Sequence, residues 1–249
     1  MAAQTASVRR PRLEASPAPI RRRKLYEEVV SRIEAMLHSG EYAPGAQLPS
    51  EREIMQAYGV GRTSVREALF ALHKMGLVTI NSGERARVTL PTAATLVGEL
   101  SGAARHVLAQ PGGIEQFQQA RALFETALAR WAAQRATPEQ VAALQAALAA
   151  NKAAIGRHTS FERTDLAFHY VLAEIPGNPI FTALHAAIAD WLFEQRATSI
   201  RAPGSDRAAY RAHKRIFSAV AARDPATAET AMQEHLDEVA RYYWQVRRK

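Results

Sequence analysis

The sequence predicts a mainly α-helical protein in two parts, a three-helix unit closed by a β-hairpin and an all-α antiparallel helical bundle. Three observations indicate this. Apolar residues recur at helical spacing through most of the chain, two strand-like runs lie between residues 77 and 90, and everything after Pro91 has the pattern of helices separated by Pro and Gly. With 249 residues, 47% of them hydrophobic, the chain can bury one large core or two smaller ones.

Four segments follow from these patterns. We expect a disordered basic arm at residues 1–23 and the helix-and-hairpin domain at 24–90. A linker with a connecting helix is expected at 91–113, and the bundle domain at 114–249. Neither an internal repeat nor a low-complexity segment interrupts this order.

The composition narrows the class of protein. The formal charge of +8 is concentrated near the N-terminus, since seven bases and one acid of residues 1–24 supply +6. Such an arm is expected to be attracted to polyanions. The lack of cysteine excludes disulfides, thiolate metal ligands and thiol nucleophiles. No apolar run is long enough to span a membrane and no secretory signal is visible, so a cytoplasmic protein without membrane contact is predicted.

The helix-and-hairpin domain is punctuated by clear boundary signals. Ser50 and Glu53 have the spacing of a capping box before an apolar run. The segment Gly59–Gly61 forms a tight turn before a further helix whose inner face extends to Met75, and Asn81–Gly83 is a hairpin signal between the two strand-like runs. A helix, a helix-turn-helix pair and a hairpin in this order predict a winged helix-turn-helix.

The helix after the turn carries polar side chains suited to DNA. Arg62, Thr63 and Arg66 lie on its outer face, and a helix of this size fits the major groove. Arginine has two donors that match guanine O6 and N7, whereas Thr63 and Ser64 suit phosphate or thymine contacts. The alternative is a surface helix with ordinary solvated arginines.

Two further arginines lie on flanking elements. Arg52 is in the first turn of the preceding helix, from which it can reach the phosphate backbone. Arg85 alternates with Arg87 on one face of the hairpin and can enter an adjacent minor groove.

The runs Leu48-Pro-Ser-Glu-Arg-Glu53 and Gly61-Arg-Thr-Ser-Val-Arg-Glu-Ala-Leu69 closely resemble the DNA-binding domain of the GntR family of bacterial transcription regulators. The resemblance implies binding to double-stranded operator DNA. Many members have a second glycine in the wing that this chain lacks, which leaves the minor-groove contact to Arg85. The operator contacts implied by the resemblance fall on Arg52, Arg62, Arg66 and Gly83.

The C-terminal part has the pattern of about seven helices, and four of its polar residues have spacings that can bring them together. Asp165 and His169 are four residues apart on one helix and share a face. His213 and His235 are each eleven residues from Asp224, the centre of a helical hairpin, so both lie roughly 16 Å from the turn. One carboxylate and three imidazoles suit zinc and are acceptable for nickel, iron or manganese. The alternative is four unrelated polar residues.

The runs around these residues look like the FCD ligand-binding domain of the FadR-like GntR subfamily. That resemblance implies an antiparallel helical bundle that dimerises and that holds a divalent metal, zinc in the first place, on Asp165, His169, His213 and His235. It also makes Arg121 an effector-binding residue, although Arg121 and Glu125 can equally form a structural ion pair across one helical turn.

Segments less generic than these motifs, above all Leu172–Phe181, resemble the sialic-acid-responsive repressors of the subfamily. The resemblance implies a homodimeric repressor that is released by a small carboxylate effector, N-acetylneuraminate or a similar sugar acid. An effector that is another hexuronate or organic acid is the alternative within the family. Two other classes stay open, a metal-dependent enzyme, in which the Asp/His site activates water, and an architectural DNA-binding protein with a purely structural bundle.

Overall fold

The computed structural model describes residues 24–247, which divide into two compact units on either side of the Leu90–Pro91 bond. The predicted basic arm lies outside the described residues. None of the helices within residues 24–247 is long and apolar enough to cross a membrane.

The first unit consists of three helices and a short hairpin. Its helices are α1 (Leu25–His38), α2 (Glu51–Tyr58) and α3 (Arg62–Lys74), and its strands are β1 (Val78–Thr79) and β2 (Arg87–Val88). Apolar side chains from all of these elements form one core. The Ser50 hydroxyl accepts from the Glu53 amide and the Glu53 carboxylate accepts from the Ser50 amide, which confirms the capping box. The predicted winged helix-turn-helix is confirmed.

The strands are shorter than the runs that predicted them. They pair antiparallel with Val78 opposite Val88 and Thr79 opposite Arg87. Residues before α2 also bind the second strand, because the Leu48 amide donates to the Ala86 carbonyl and Gln47 forms a bridge with Arg87. Part of β2 therefore pairs with a segment some forty residues earlier. Met75, which was predicted for the inner face of α3, is instead its C-cap residue and is 48% exposed.

The second unit is helical throughout the part that the structure describes. Within residues 91–247 its helices are α4 (Ala93–Gly98), α5 (Ser101–Leu108), α6 (Gly113–Arg135), α7 (Pro138–Ala153), α8 (His158–Glu174), α9 (Pro179–Trp191), α10 (Phe193–Ile200), α11 (Ser205–Ala221) and α12 (Pro225–Arg247).

This unit has two helix boundaries that the sequence pattern did not indicate. The segment predicted as a linker with one helix contains both α4 and α5. A break at Leu192, which is almost fully buried, separates α9 from α10 without a proline or glycine to mark it.

The core of the second unit lies among α6, α7, α8, α11 and α12. The small residues Ala129, Ala132 and Ala133 on α6 are fully buried, so the neighbouring helices can approach closely. Larger side chains fill the centre, among them Phe168 on α8 and Ile216 on α11. Helices α11 and α12 are joined by the short turn around Asp224 and pack side by side, with α6 against α12. This packing puts the inner faces of α8, α11 and α12 around one interior point.

Candidate functional site

Four predicted ligand residues meet inside the second unit. Asp165 and His169 come from α8, His213 from α11 and His235 from α12, and one potential ligand atom of each lies within 4.8 Å of all the others. All four side chains are buried, the three imidazoles almost completely. The helical-hairpin spacing therefore brings His213 and His235 to the same height, as predicted.

The three imidazoles face one another through the same ring atom. The Nε2 atoms of His169, His213 and His235 are pairwise 3.2 Å apart. A tetrahedral zinc ion with Zn–N bonds of about 2.0 Å separates neighbouring ligand nitrogens by about 3.3 Å. Asp165 Oδ1 lies 3.5 Å from His213 Nε2 and adds an oxygen to the set. The spacing of the donor atoms fits a zinc-sized cation.

The tautomers of two of these imidazoles are set from outside the cluster. His213 Nδ1 is 3.0 Å from Asn151 Oδ1 on α7, and a carbonyl oxygen can only accept. The amide orientation is itself fixed, because Asn151 Nδ2 donates to the Thr164 hydroxyl, which donates to backbone carbonyls. His213 Nδ1 therefore carries the proton, and its Nε2 directs a lone pair into the cluster.

Glu125 on α6 acts on His169 in the same way. Its Oε2 lies 2.5 Å from His169 Nδ1, although the contact is not aligned as a regular hydrogen bond, and its Oε1 accepts from Arg121 Nε at 2.7 Å. Two lone pairs, on His169 and His213, then face each other at 3.2 Å, an arrangement that a cation between them stabilises. The residues present thus fit a divalent metal.

Burial determines the charge states of these groups. Burial lowers the pKa of His213 to about 3 and holds the pKa of His235 well below its usual value, so both imidazoles are neutral at pH 7. For Asp165, burial alone would raise the pKa, but Arg196 and then His213 outweigh it and the net shift is downward. Burial acts in the same direction on Glu125, but Arg121 and then His169 hold its pKa well below the usual value. Both carboxylates are ionised.

A small cavity lies against the cluster. Arg121, Asp165 and His235 line one side, and side chains of α10, α11 and α12, including Ser199 and Tyr242, line the rest. Its volume is about 20 Å³, room for one or two water molecules. Arg121 therefore both forms its ion pair with Glu125 and faces this cavity, so the two interpretations of the residue are compatible.

The structure adds Arg196 to the site, a residue that the sequence did not single out. Its Nη2 donates to Asp165 Oδ2 at 2.8 Å, which leaves Oδ1 on the side of the imidazoles. The guanidinium is buried and lines the cavity, and its Nε has no hydrogen-bond partner among the described residues. No sequence pattern points to Arg196, whereas Asn151 had a signal, since it follows Leu144 and Leu148 on the buried face of α7.

The predicted DNA-contacting residues lie on the first unit. Arg62, Thr63 and Arg66 are exposed on the first turns of α3, and Ser64 is half-buried between them. Arg52 is exposed on the first turn of α2, and the remaining two are exposed in the hairpin, Gly83 with a φ of 80° and Arg85 two residues later. All of them are accessible, a requirement for the predicted contacts.

Comparison with known proteins gives two family matches. Residues 25–88 match "Bacterial regulatory proteins, gntR family", and residues 116–238 match the "FCD domain". The two matched ranges lie within the first and second units respectively.

Curated relatives align over most of the chain. A protein of an Enterobacter species named HTH-type transcriptional repressor NanR is 49% identical over 224 residues, which is 89% of this chain and 86% of the relative. The Escherichia coli K12 protein of the same name is 48% identical over 89% of this chain and 85% of its own.

Solved structures are similar in fold. A Streptococcus agalactiae GntR protein matches with a TM-score of 0.60 at 23% identity, over 87% of this chain and 99% of its own. E. coli McbR/YncC matches with a TM-score of 0.51 at 17% identity, over 90% and 99% of the two chains.

Proposed function

The chain belongs to the GntR family of bacterial regulatory proteins, in which it combines the family's DNA-binding domain with an FCD domain, and on that premise we propose that it is a homodimeric repressor released by a sugar acid. N-acetylneuraminate is the proposed effector, because curated relatives 48% and 49% identical to this chain carry the name NanR and the sequence resembles the sialic-acid-responsive group. The observation that carries the proposal is the buried Asp/His cluster beside a cavity with two arginines.

The charge balance of the site supports a metal-dependent anion site. Arg121 and Arg196 are offset by Glu125 and Asp165, while burial keeps His213 neutral. A divalent metal on Asp165 and the three histidines adds two positive charges in a buried place, and a carboxylate ligand offsets part of them. The metal supplies a Lewis-acidic position for the carboxylate. Arg196 supplies a directed N–H beside it, since its Nε has no partner among the described residues.

The size of the cavity supports a change of shape on effector binding. Pockets that hold ligands of this kind usually measure about 300–1,000 Å³, far more than the 20 Å³ described above. A sugar acid therefore requires side chains or helices that line the cavity to move away from the cluster. A ligand that binds only the opened bundle shifts the balance between two arrangements of the dimer, and with it the spacing of the two α3 helices on the operator.

Calorimetric titration of N-acetylneuraminate into the zinc-loaded protein tests the effector. Because the two added charges come from the metal, we expect selective micromolar binding that disappears when zinc is removed. Glucuronate, galactonate and lactate are the controls. Binding of one of these acids in place of N-acetylneuraminate would assign the protein to the regulation of another catabolic pathway. Binding of none of the acids, N-acetylneuraminate included, would contradict the effector site.

On the DNA side, Arg66→Ala should weaken operator binding by on the order of 1–3 kcal/mol and relax the base preference at one position. Arg66 is exposed at the start of α3, so the substitution removes a base contact without disturbing the core. Affinities for operator variants changed one base pair at a time would measure it. An unchanged base preference at every position would mean that α3 reads DNA with another face.

A further inference from the structure

One carboxylate joins two of the predicted base-reading arginines. Glu51, the first residue of α2, has its Oε2 3.0 Å from Arg62 Nε and its Oε1 3.3 Å from Arg66 Nε. Arg62 and Arg66 are one helical turn apart on α3, so Glu51 bridges the outer face of that helix from the neighbouring one.

These contacts do little for the stability of the fold. The Arg62 and Arg66 side chains are 70% and 67% exposed, and ion pairs between exposed groups contribute little because water and salt screen them. The atoms involved indicate another use. Both arginines meet Glu51 through Nε, so their terminal nitrogens, the pair that matches guanine O6 and N7, stay available.

The charge balance around the outer face of α3 also indicates a role in DNA binding rather than in stability. Residues 25–90 hold seven bases and eight acids, so the body of the domain has almost no net positive field. A second acid of α2, Glu53, has its Oε2 3.7 Å from Nη1 of Arg85 in the hairpin. Three arginines of the DNA face are thus partly neutralised by acids of α2, which lowers their attraction to phosphates of any sequence.

We propose that Glu51 is a positioning residue that sets DNA specificity. It holds Arg62 and Arg66 by Nε so that their terminal nitrogens face base edges, and its charge suppresses their binding to phosphates. The proposal rests on α3 being the DNA-reading helix, as put forward above.

Three variants separate position from charge. Glu51→Gln removes the charge and weakens the hold on both arginines. Glu51→Asp keeps the charge but is one methylene shorter, so it cannot reach both Nε atoms. Glu67→Gln removes the same charge from α3 itself, where Glu67 is exposed, and controls for the net field.

Affinities are measured for a duplex that the wild-type protein selects from a randomised library and for a scrambled duplex of equal length, over a series of salt concentrations. For Glu51→Gln we expect tighter binding to the scrambled duplex and a salt slope steeper by about 0.9 for each additional phosphate that the released arginines neutralise. Its specificity ratio should fall by about 5- to 150-fold, the range that corresponds to one missing bidentate pair with a base. For Glu51→Asp we expect a lower ratio with unchanged affinity for the scrambled duplex.

Glu67→Gln should leave the specificity ratio near the wild-type value. If it lowers the ratio as much as Glu51→Gln does, the effect belongs to net charge and the proposal is overturned. Unchanged ratios in both Glu51 variants would overturn it as well. Arg66→Ala in the same assay separates the two hypotheses. If Arg66→Ala loses a base preference while both Glu51 variants keep the wild-type specificity ratio, the inference about Glu51 is refuted and the assignment of α3 as the DNA-reading helix is retained. Thermal unfolding midpoints show that each variant is folded.

Discussion

Zinc added to the metal-free protein should raise the thermal midpoint of the second unit by about 5 to 16 °C. A ligand that binds only the folded state adds about 2.7–4.1 kcal/mol when its free concentration is 100 to 1,000 times Kd. Each kcal/mol shifts the midpoint of a domain of this size by about 2–4 °C. The effect is expected because the four ligand residues come from three helices that only the folded bundle brings together. Calorimetry of chelator-treated protein, with and without zinc, measures it.

The increment should vanish in His213→Ala and persist in His185→Ala. Both side chains are buried, so both substitutions lower the midpoint of the metal-free protein. His185 lies on α9, outside the four-residue cluster, and serves as the matched control for loss of a buried imidazole. The readout is the zinc-dependent increment in each variant, not the stability itself. A full increment in His213→Ala would contradict the proposed ligand set.

The ligand set of the proposed metal site was accessible from the sequence because helices are regular. Because the rise per residue in a helix is fixed, two histidines that are the same number of residues from a hairpin turn lie at the same height on the two helices. The i, i+4 spacing of Asp165 and His169 works in the same way. Such inferences depend only on the regular geometry of the α-helix, and the short turn around Asp224 aligns α11 and α12 side by side.

Residues placed by tertiary packing were less accessible. Arg196 lies on α10, a helix that begins after the break at Leu192, and from there it contacts Asp165. No proline or glycine in the sequence indicates this break. The pairing of Gln47 with Arg87 likewise joins segments forty residues apart, and neither of the two strand-like runs in the sequence indicates it. Asn151 is an intermediate case, since a polar residue in the buried register of an otherwise apolar helix face signals a partner but does not identify it.

Lowering the pH from 7 to 5 should destabilise the metal-free second unit by roughly 4 kcal/mol through His185 and His213, and further through His235. Burial lowers the pKa of His185 to about 4 and of His213 to about 3, and holds the pKa of His235 well below 6.5. In the unfolded chain these imidazoles take up protons below pH 6.5, whereas in the folded unit burial shifts this uptake to lower pH. Each contributes stability above pH 6.5 that is lost as the pH falls towards the folded pKa, and for His185 and His213 this loss is about 2 kcal/mol per imidazole at pH 5.

Urea unfolding followed by circular dichroism at several pH values measures this loss. His185→Ala should remove about 2 kcal/mol of the loss between pH 7 and 5, since the contribution of that imidazole is gone. His158→Ala, at an exposed position on the first turn of α8, is the control for substitution of a histidine outside the core. Constant stability from pH 7 to 5 would mean that the buried imidazoles take up protons in the folded unit as readily as in the unfolded chain.

The lowered pKa values also affect the pH dependence of zinc binding. A site whose imidazoles must first lose protons binds zinc more weakly as the pH falls. Here burial keeps His213 neutral at pH 5, so this ligand adds no proton competition between pH 7 and 5, and the lowered pKa of His235 reduces the competition at that ligand. We therefore expect the zinc-dependent increment in stability to fall less between pH 7 and 5 than the stability of the metal-free protein does. An increment that shrinks in step with that stability would show that the cluster is open to protons, and so to water, in the folded protein.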